Sequence, residues 1–352
     1  MRHLSINNQH IKSRLLSIIL IYIMTLLLTL IFPNSISASG KVSNQVTFNA
    51  EAILPKNQHS EVSYYDLRVR PGATQKLFIR LRNLTNAKQT IMVKTNNAIT
   101  NQNGAIDYSK SNAPLLGGPT FKQLISGPQT VLLKPKEVRR VSFQLKIPPK
   151  GFKGTVLGGF YCYTKPVKAA TSASGLSLTN NFAYTIGAKL ECASSKIQPK
   201  LSLIKATPRL DNGYLSVFAT LQNAAPVLLS KLDMRATVTQ KNHHEILKRT
   251  HKKISIAPRT RFRLPISWND EPLKSGRYVL TIDLSSSTGK RWQLSREFKI
   301  TGDDAKLNQK AVELKKTDNK LFYLIIGLLI GIIVILSGYI YYVKQKNNKT
   351  EK

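Results

Sequence analysis

Histidine, cysteine and paired carboxylates are the side chains through which a protein does acid–base, nucleophilic or metal chemistry, and here they are scattered. Six histidines occur in 352 residues; His3 and His10 sit in an N-terminal leader, leaving His59, His243, His244 and His251. His243 and His244 follow Lys241-Asn242 in what reads as a hairpin tip. Neighbours on a strand face opposite ways, so this pair is poorly placed to hold a metal. The acids include Asp270-Glu271 in a turn and Asp303-Asp304 in a polar stalk before the C-terminal apolar segment, where turn and capping roles explain them. No GxSxG, HExxH or P-loop motif occurs. The residues thus predict no enzyme, no metal and no cofactor.

The remaining chemistry is that of thiols and of binding. Cys162 and Cys192 are the two cysteines, and in an oxidising compartment they are the minimum for a disulfide. A bridge would close a loop of about 30 residues, worth roughly 3–4 kcal/mol by loop entropy. The alternative is two buried thiols acting as small hydrophobes. Trp268 and Trp292 alternate with aliphatic residues and read as core. Tyr64 and Tyr65 cannot both point inward on a strand, and Tyr161 and Tyr163 face away from Phe160 and Cys162. Those tyrosines, with Arg68, Arg70, Arg80 and Arg82, form the candidate binding surface, since flat rings stack on sugars and cations suit acidic polymers. An exposed strand edge is a second candidate.

The elements that must carry these residues begin with two apolar segments. Arg2, Lys12 and Arg14 precede the apolar run 15–32, and Ser37-Ala38-Ser39-Gly40 follows. This reads as a signal peptide over 1–39, with an uncleaved anchor as the alternative. Residues 321–343 carry no charge and as a helix reach about 34 Å, enough to cross a hydrocarbon core of about 30 Å. Lys344, Lys346, Lys349 and Lys352 lie beyond, so residues 344–352 are expected in the cytoplasm and the rest outside. The formal net charge is +35. Three basic residues belong to the leader and four lysines with Glu351 to the tail, which leaves 46 basic and 17 acidic residues, a net +29, between. Export and the lack of any nucleic-acid-binding motif exclude nucleic acid as the partner. The anionic partners outside a cell are lipid headgroups, teichoic acids and peptidoglycan carboxylates.

Between these ends the texture is strand after strand. Leu77, Ile79 and Leu81 alternate with Lys76, Arg80 and Arg82; Val141, Phe143 and Leu145 alternate with Arg140, Ser142 and Gln144. A period of two with one polar face predicts half-buried antiparallel strands. Breakers such as Pro71-Gly72, Asn103-Gly104 and Pro148-Pro149 separate them. The predicted architecture is all-β, with two tandem immunoglobulin-like β-sandwiches at 40–165 and 181–302. Between them comes a small-residue linker at 166–180, and a stalk at 303–320 leads to the transmembrane helix.

Several runs carry a family resemblance. They are Phe48-Asn-Ala-Glu-Ala-Ile-Leu-Pro-Lys-Asn-Gln58, Tyr64-Tyr-Asp-Leu-Arg-Val-Arg-Pro-Gly72, the stretch from Thr95 through Asn96, Asn97 and Asp107 to Ser109, and Gly154-Thr-Val-Leu-Gly-Gly-Phe-Tyr161. Phe182 to Lys189, Leu221-Gln-Asn223, Ile256-Ala-Pro258, Leu307-Asn308 and Ala311-Val312 continue it. In this order they resemble the WxL-interacting protein family of Gram-positive bacteria. The resemblance implies a non-enzymatic, membrane-anchored surface adaptor that partners WxL-domain proteins and peptidoglycan or anionic wall polymers. It also implies a peptidoglycan-binding first domain and a host-binding second domain with a host matrix ligand. A tethered assembly or sensing factor for wall polymers or enzymes is the alternative, and the nine residues after Val343 favour a tether over a signalling domain.

Overall fold

The alternation seen in the sequence becomes two sheets stacked face to face, twice over. The computed structural model describes residues 46–164, 182–192, 197–243, 245–269, 271–312 and 320–349. The expected signal peptide at 1–39 and His244 lie outside these residues. The first sandwich contains β1 (Phe48–Ile53), β2 (Tyr65–Arg68), β3 (Thr74–Asn83), β4 (Gln89–Asn97), β5 (Ile99–Thr100), β6 (Ile106–Asp107), β7 (Gln129–Leu133), β8 (Val138–Lys146), β9 (Thr155–Thr164) and β10 (Ala183–Glu191). The second contains β11 (Leu201–Asp211), β12 (Tyr214–Asn223), β13 (Leu229–Gln240), β14 (Ile246–Ile256), β15 (Thr260–Ser267), β16 (Gly276–Ser285) and β17 (Arg291–Ile300).

The two units repeat one topology. In the first, β1-β3-β8 faces β2-β10-β9-β4-β7; in the second, β11-β12-β15 faces β14-β13-β16-β17. Each therefore stacks its first, second and fifth main strands on its fourth, third, sixth and seventh. Each core is filled from the alternating positions: Leu77, Ile79, Phe143 and Phe160 in the first, Val217, Met234, Leu264 and Ile282 in the second. Even a buried amide recurs. Asn83 Nδ2, at the last residue of β3, donates to the carbonyls of Ala87 and Lys134, and Asn223 Nδ2, at the last residue of β12, donates to those of Val227 and Ala257. Each side chain closes the turn that leaves its strand and satisfies backbone groups that burial would otherwise strand.

Two boundaries and the state of the cysteines differ from expectation. β10 belongs to the first sandwich: Ile186, Ala188 and Leu190 are buried in its core, while its backbone pairs antiparallel with β9 and parallel with β2. The stretch at 166–180, read as an interdomain linker, thus joins adjacent strands of one sheet; its own course lies outside the described residues. The last strand of the first sandwich ends at Glu191, and Cys192 still packs on its core. The first residues of the stalk expected at 303–320 also pack on the second sandwich. Helix α2 (Gly302–Ala305) and the 3-10 turn Lys306–Gln309 fold back on the second sandwich, where Leu307 and Ala311 pack on the core. Asn308 brackets Leu273 with bonds of 2.8 and 3.0 Å to its N–H and carbonyl.

Thirdly, no disulfide joins Cys162 to Cys192. Both cysteines are free. In the β9–β10 register Cys162 stands opposite Tyr184, and Cys192 follows eight residues on, about 26 Å at roughly 3.3 Å per residue. A bridge needs Cα atoms within about 7 Å. Both cysteines flank the same loop in sequence, but the antiparallel strands carry them to opposite ends of the sheet.

A short helix, α1 (Phe121–Leu124), plugs the first core with Phe121 and Leu124. Thr120 and Gln123 form a reciprocal capping box at its start. At the C-terminus α3 (Lys320–Lys349) contains the segment Leu324–Tyr342, long and apolar enough to cross a membrane.

Candidate functional site

The central strand of the first sandwich explains why the run Gly154 to Tyr161 reads as it does. Gly158 faces the core, and a Cβ there would sit 2.2 Å from Phe121 Cβ. Gly159 faces outward, and a Cβ there would sit 2.7 Å from Tyr108 Cδ1. Two bare positions in succession therefore let an aromatic ring lie on each side of β9. Tyr108 is anchored by Asn96, whose amide donates to its carbonyl at 2.7 Å, and burial pushes its phenol up to about 12. Asn97 Oδ1 accepts from Lys122 N–H in the first turn of α1, and Asp107 Oδ1 accepts from Ser109 N–H and closes a turn.

Beyond Gly159 the outward positions of the same sheet are half-buried. Tyr161 and Tyr163 lie side by side on β9 with ring centroids 5.3 Å apart. Across the strand pair, Lys94 stands opposite Tyr161 and places its ammonium 5.5 Å from the Tyr163 ring centroid. Lys94 Nζ donates to Ser111 Oγ at 3.2 Å, and Lys122 Nζ donates to the Ser111 carbonyl and to Asn112 Oδ1 at 3.1 and 3.0 Å. The result is a two-ring platform rimmed by two cations, a hydroxyl and an amide. Flat π-faces beside polar hydrogen-bonding groups suit a sugar ring, and the ammonium groups suit a carboxylate on it.

The other predicted surface residues do not join this platform. Tyr65 is fully buried: its hydroxyl donates to the Phe78 carbonyl at 2.6 Å, its ring packs edge-on to Phe160, and burial drives its phenol far above the ordinary range. It is a core residue, which corrects its place among the candidates. Tyr64 is the exposed member of the pair and lines a separate cleft with Tyr108, Leu157, Gly187 and Leu228. Arg68 leans on the His59 ring from the exposed end of β2, and Arg70 is exposed before the Pro71-Gly72 turn. Arg80 and Arg82 project from β3, on the opposite sheet of the sandwich from Tyr161 and Tyr163.

The histidines and acids are spread out. His251 Nε2 lies 3.8 Å from Asp233 Oδ1, an exposed contact. Asp66 is held below the usual carboxylate range, because the Ser60 hydroxyl at 2.6 Å and Lys189 at 3.2 Å outweigh the upward push of burial. Among the described residues no three His, Cys, Asp or Glu side chains cluster so as to hold a metal.

Other residues of the quoted runs join the two sandwiches. The β5–β6 hairpin pairs with the end of β14 through Ser255 N–H to the Gly104 carbonyl at 2.7 Å. Thr100 Oγ1 accepts from Ala257 N–H at 2.9 Å and donates to the Ser255 carbonyl at 3.2 Å. Ala98, Leu157 and Ala257 form a small apolar cluster between them. Arg259 donates from Nη1 to the Pro119 carbonyl at 3.0 Å, while its backbone bonds Leu116 and Ala225. Lys94, Lys122 and Tyr108 were missed by sequence reading. Lys94 alternates with Ile91 and Val93 on β4, but its pairing with Tyr161 depends on a cross-strand register that no local signal specifies.

Comparison with solved structures finds chaperones at low similarity. The class 5 fimbriae chaperone CfaA is 14% identical with a TM-score of 0.29, covering 72% of this chain and 99% of its own. The E. coli chaperone DraB is 12% identical with a TM-score of 0.25, covering 72% and 98%. The CupB2 chaperone of Pseudomonas aeruginosa is 10% identical with a TM-score of 0.25, covering 66% and 97%. Comparison with curated proteins returns no match. Two family models match in tandem: residues 48–164 fit the WxL Interacting Protein peptidoglycan binding domain, and residues 173–309 the WxL Interacting Protein host binding domain. The second match begins upstream of β10, a strand that folds with the first sandwich. Both models describe binding domains, and together they span most of the chain, which belongs to the WxL-interacting protein family.

Proposed function

We propose that this cell-surface binding protein is a membrane-anchored adaptor. Its first sandwich holds peptidoglycan through the Tyr161–Tyr163 platform, and the body of the molecule presents WxL-domain proteins at the wall. The carrying observation is that platform: two adjacent outward rings with Lys94 above one of them, on the domain whose family model is named for peptidoglycan binding. The second sandwich is the part that would meet a host ligand, by its family description. The apolar segment Leu324–Tyr342 serves as the tether, with the lysine-rich end of the chain on the cytoplasmic side. The disposition of a joint built from hydrogen-bonded backbone supports a scaffold that holds two binding modules in one geometry.

The test is co-sedimentation of the detergent-solubilised protein with purified peptidoglycan, and capture of WxL-domain proteins from a secreted fraction. Tyr161→Ala with Tyr163→Ala should lower peptidoglycan retention by roughly 5- to 150-fold, since aromatic stacking contacts are worth about 0.5–1.5 kcal/mol each. Unchanged retention removes the platform from the proposal. Failure to capture any WxL-domain protein at physiological salt removes the adaptor role.

A further inference from the structure

We propose a second binding site on the first sandwich: the outward face of β1, β3 and β8 receives a linear, phosphate-bearing polymer lying along the strands. Outward positions on these strands carry Lys76, Arg80, Arg82, Arg140 and Lys146 against a single acid, Glu51. The register makes the arrangement unusual. Arg80 stands directly opposite Arg140, a placement in which like charges repel. Each guanidinium is held in place by a different neighbour: Arg80 Nη1 donates to Glu51 Oε1 at 2.7 Å, and Arg140 stacks on the Phe78 ring at 4.5 Å. Among the described residues no carboxylate lies within ion-pair distance of Lys76, Arg82, Arg140 or Lys146.

Shape and chemistry select the occupant. Lys76 to Arg82 spans six residues, about 20 Å at roughly 3.3 Å per residue. Lys146, opposite Thr74, extends the row on β8. That length exceeds any single small anion and matches a chain with repeated charges. One guanidinium fork satisfies both oxygens of a planar carboxylate, whereas a tetrahedral phosphate offers oxygens to two forks from different sides. Two arginines opposite each other on neighbouring strands fit the second case. Large exposed side chains that would wedge into a bilayer are limited on this face to Val138 at its end. A soluble polymer is therefore the better fit than a membrane surface. The site is on the other sheet from the tyrosine platform, so the two stand or fall separately.

The experiment measures binding of the full-length protein in detergent to long-chain inorganic polyphosphate and to poly-glutamate of equal charge, over a range of salt. Arg82→Ala with Arg140→Ala should weaken polyphosphate binding by roughly 25-fold, at about fivefold for each exposed charge pairing. The slope of log affinity against log salt should fall by about 1.4, at about 0.7 for each phosphate no longer neutralised. The matched control removes two exposed cations from the second sandwich, Arg209→Ala with Arg263→Ala, and should change little. Equal weakening in the control, or equal affinity for poly-glutamate, overturns the proposal, because net charge then explains the binding. Retention on peptidoglycan should survive the Arg82 and Arg140 changes.

Discussion

Replacing Gly158 by alanine isolates a single packing contact at the heart of the first sandwich. The backbone there has an ordinary φ, so alanine is conformationally admissible and should itself contribute about 0.4–1 kcal/mol by restricting the unfolded chain. The new methyl would stand 2.2 Å from both Cβ and Cγ of Phe121 and 2.4 Å from Cδ1. Phe121 cannot yield by rotating its far end, because the clash includes its Cβ and the ring is fully buried edge-on against Phe160 at 5.7 Å. Overpacking of this kind costs about 1–3 kcal/mol, and we expect the upper end. Phe121→Ala alone should cost about 3–5 kcal/mol through the cavity it leaves. With Phe121 already truncated, Gly158→Ala should become neutral or slightly stabilising, a coupling of about 2–3 kcal/mol in the double-mutant cycle. Urea unfolding followed by far-UV circular dichroism measures all four species. Tryptophan fluorescence reports the second sandwich alone, since Trp268 and Trp292, the two tryptophans, both belong to it. A Gly158→Ala cost below about 0.5 kcal/mol, or a cost that persists unchanged in the Phe121→Ala background, would refute the reasoning.

Two further expectations concern the joint and the thiols. Thr100→Val keeps the shape of the side chain but leaves the buried Ala257 N–H without an acceptor, a destabilisation of about 1–3 kcal/mol; it should separate the unfolding transitions seen by circular dichroism and by tryptophan fluorescence. Burial pushes the Cys162 thiol up to about 12, so at pH 8 a thiol reagent should label Cys192 and spare Cys162 in the folded protein, with no mass change on reduction. The same burial sets an alkaline limit. Folded Cys162 keeps its proton while the unfolded thiol ionises near 9, so its contribution to stability is complete below pH 9 and fades as pH rises towards 12; Tyr108 adds to the fall from pH 10 upward. Urea midpoints that stay level from pH 8 to pH 11 would contradict both shifts.

Much of the architecture was legible in single residues. The period of two in Leu77-Ile79-Leu81 and Phe262-Leu264-Ile266 marks half-buried strands without reference to any partner, because alternation is a local property of the pleated chain. The exposed apolar segment Leu324–Tyr342 is equally local, a matter of length and composition. The tyrosines at 161 and 163 were readable as outward from Phe160 and Cys162 between them. Tyr64 and Tyr65 showed that the two cannot both point inward but not which one does, since that depends on where β2 starts.

What the sequence could not reveal was everything that rests on pairing between distant strands. Ala183 to Glu191 carries the same alternation whichever sandwich it joins, and only its hydrogen bonds to β9 and β2 place it in the first. The same register separates Cys162 from Cys192, seats Lys94 beside Tyr161 and sets Arg80 opposite Arg140. By itself, then, the sequence determined strand identity, face and the two-sandwich plan, because these follow from the neighbours of each residue along the chain. The tertiary structure alone decided the domain boundary, the fate of the thiols and the composition of both binding faces, because register is chosen by the whole core at once.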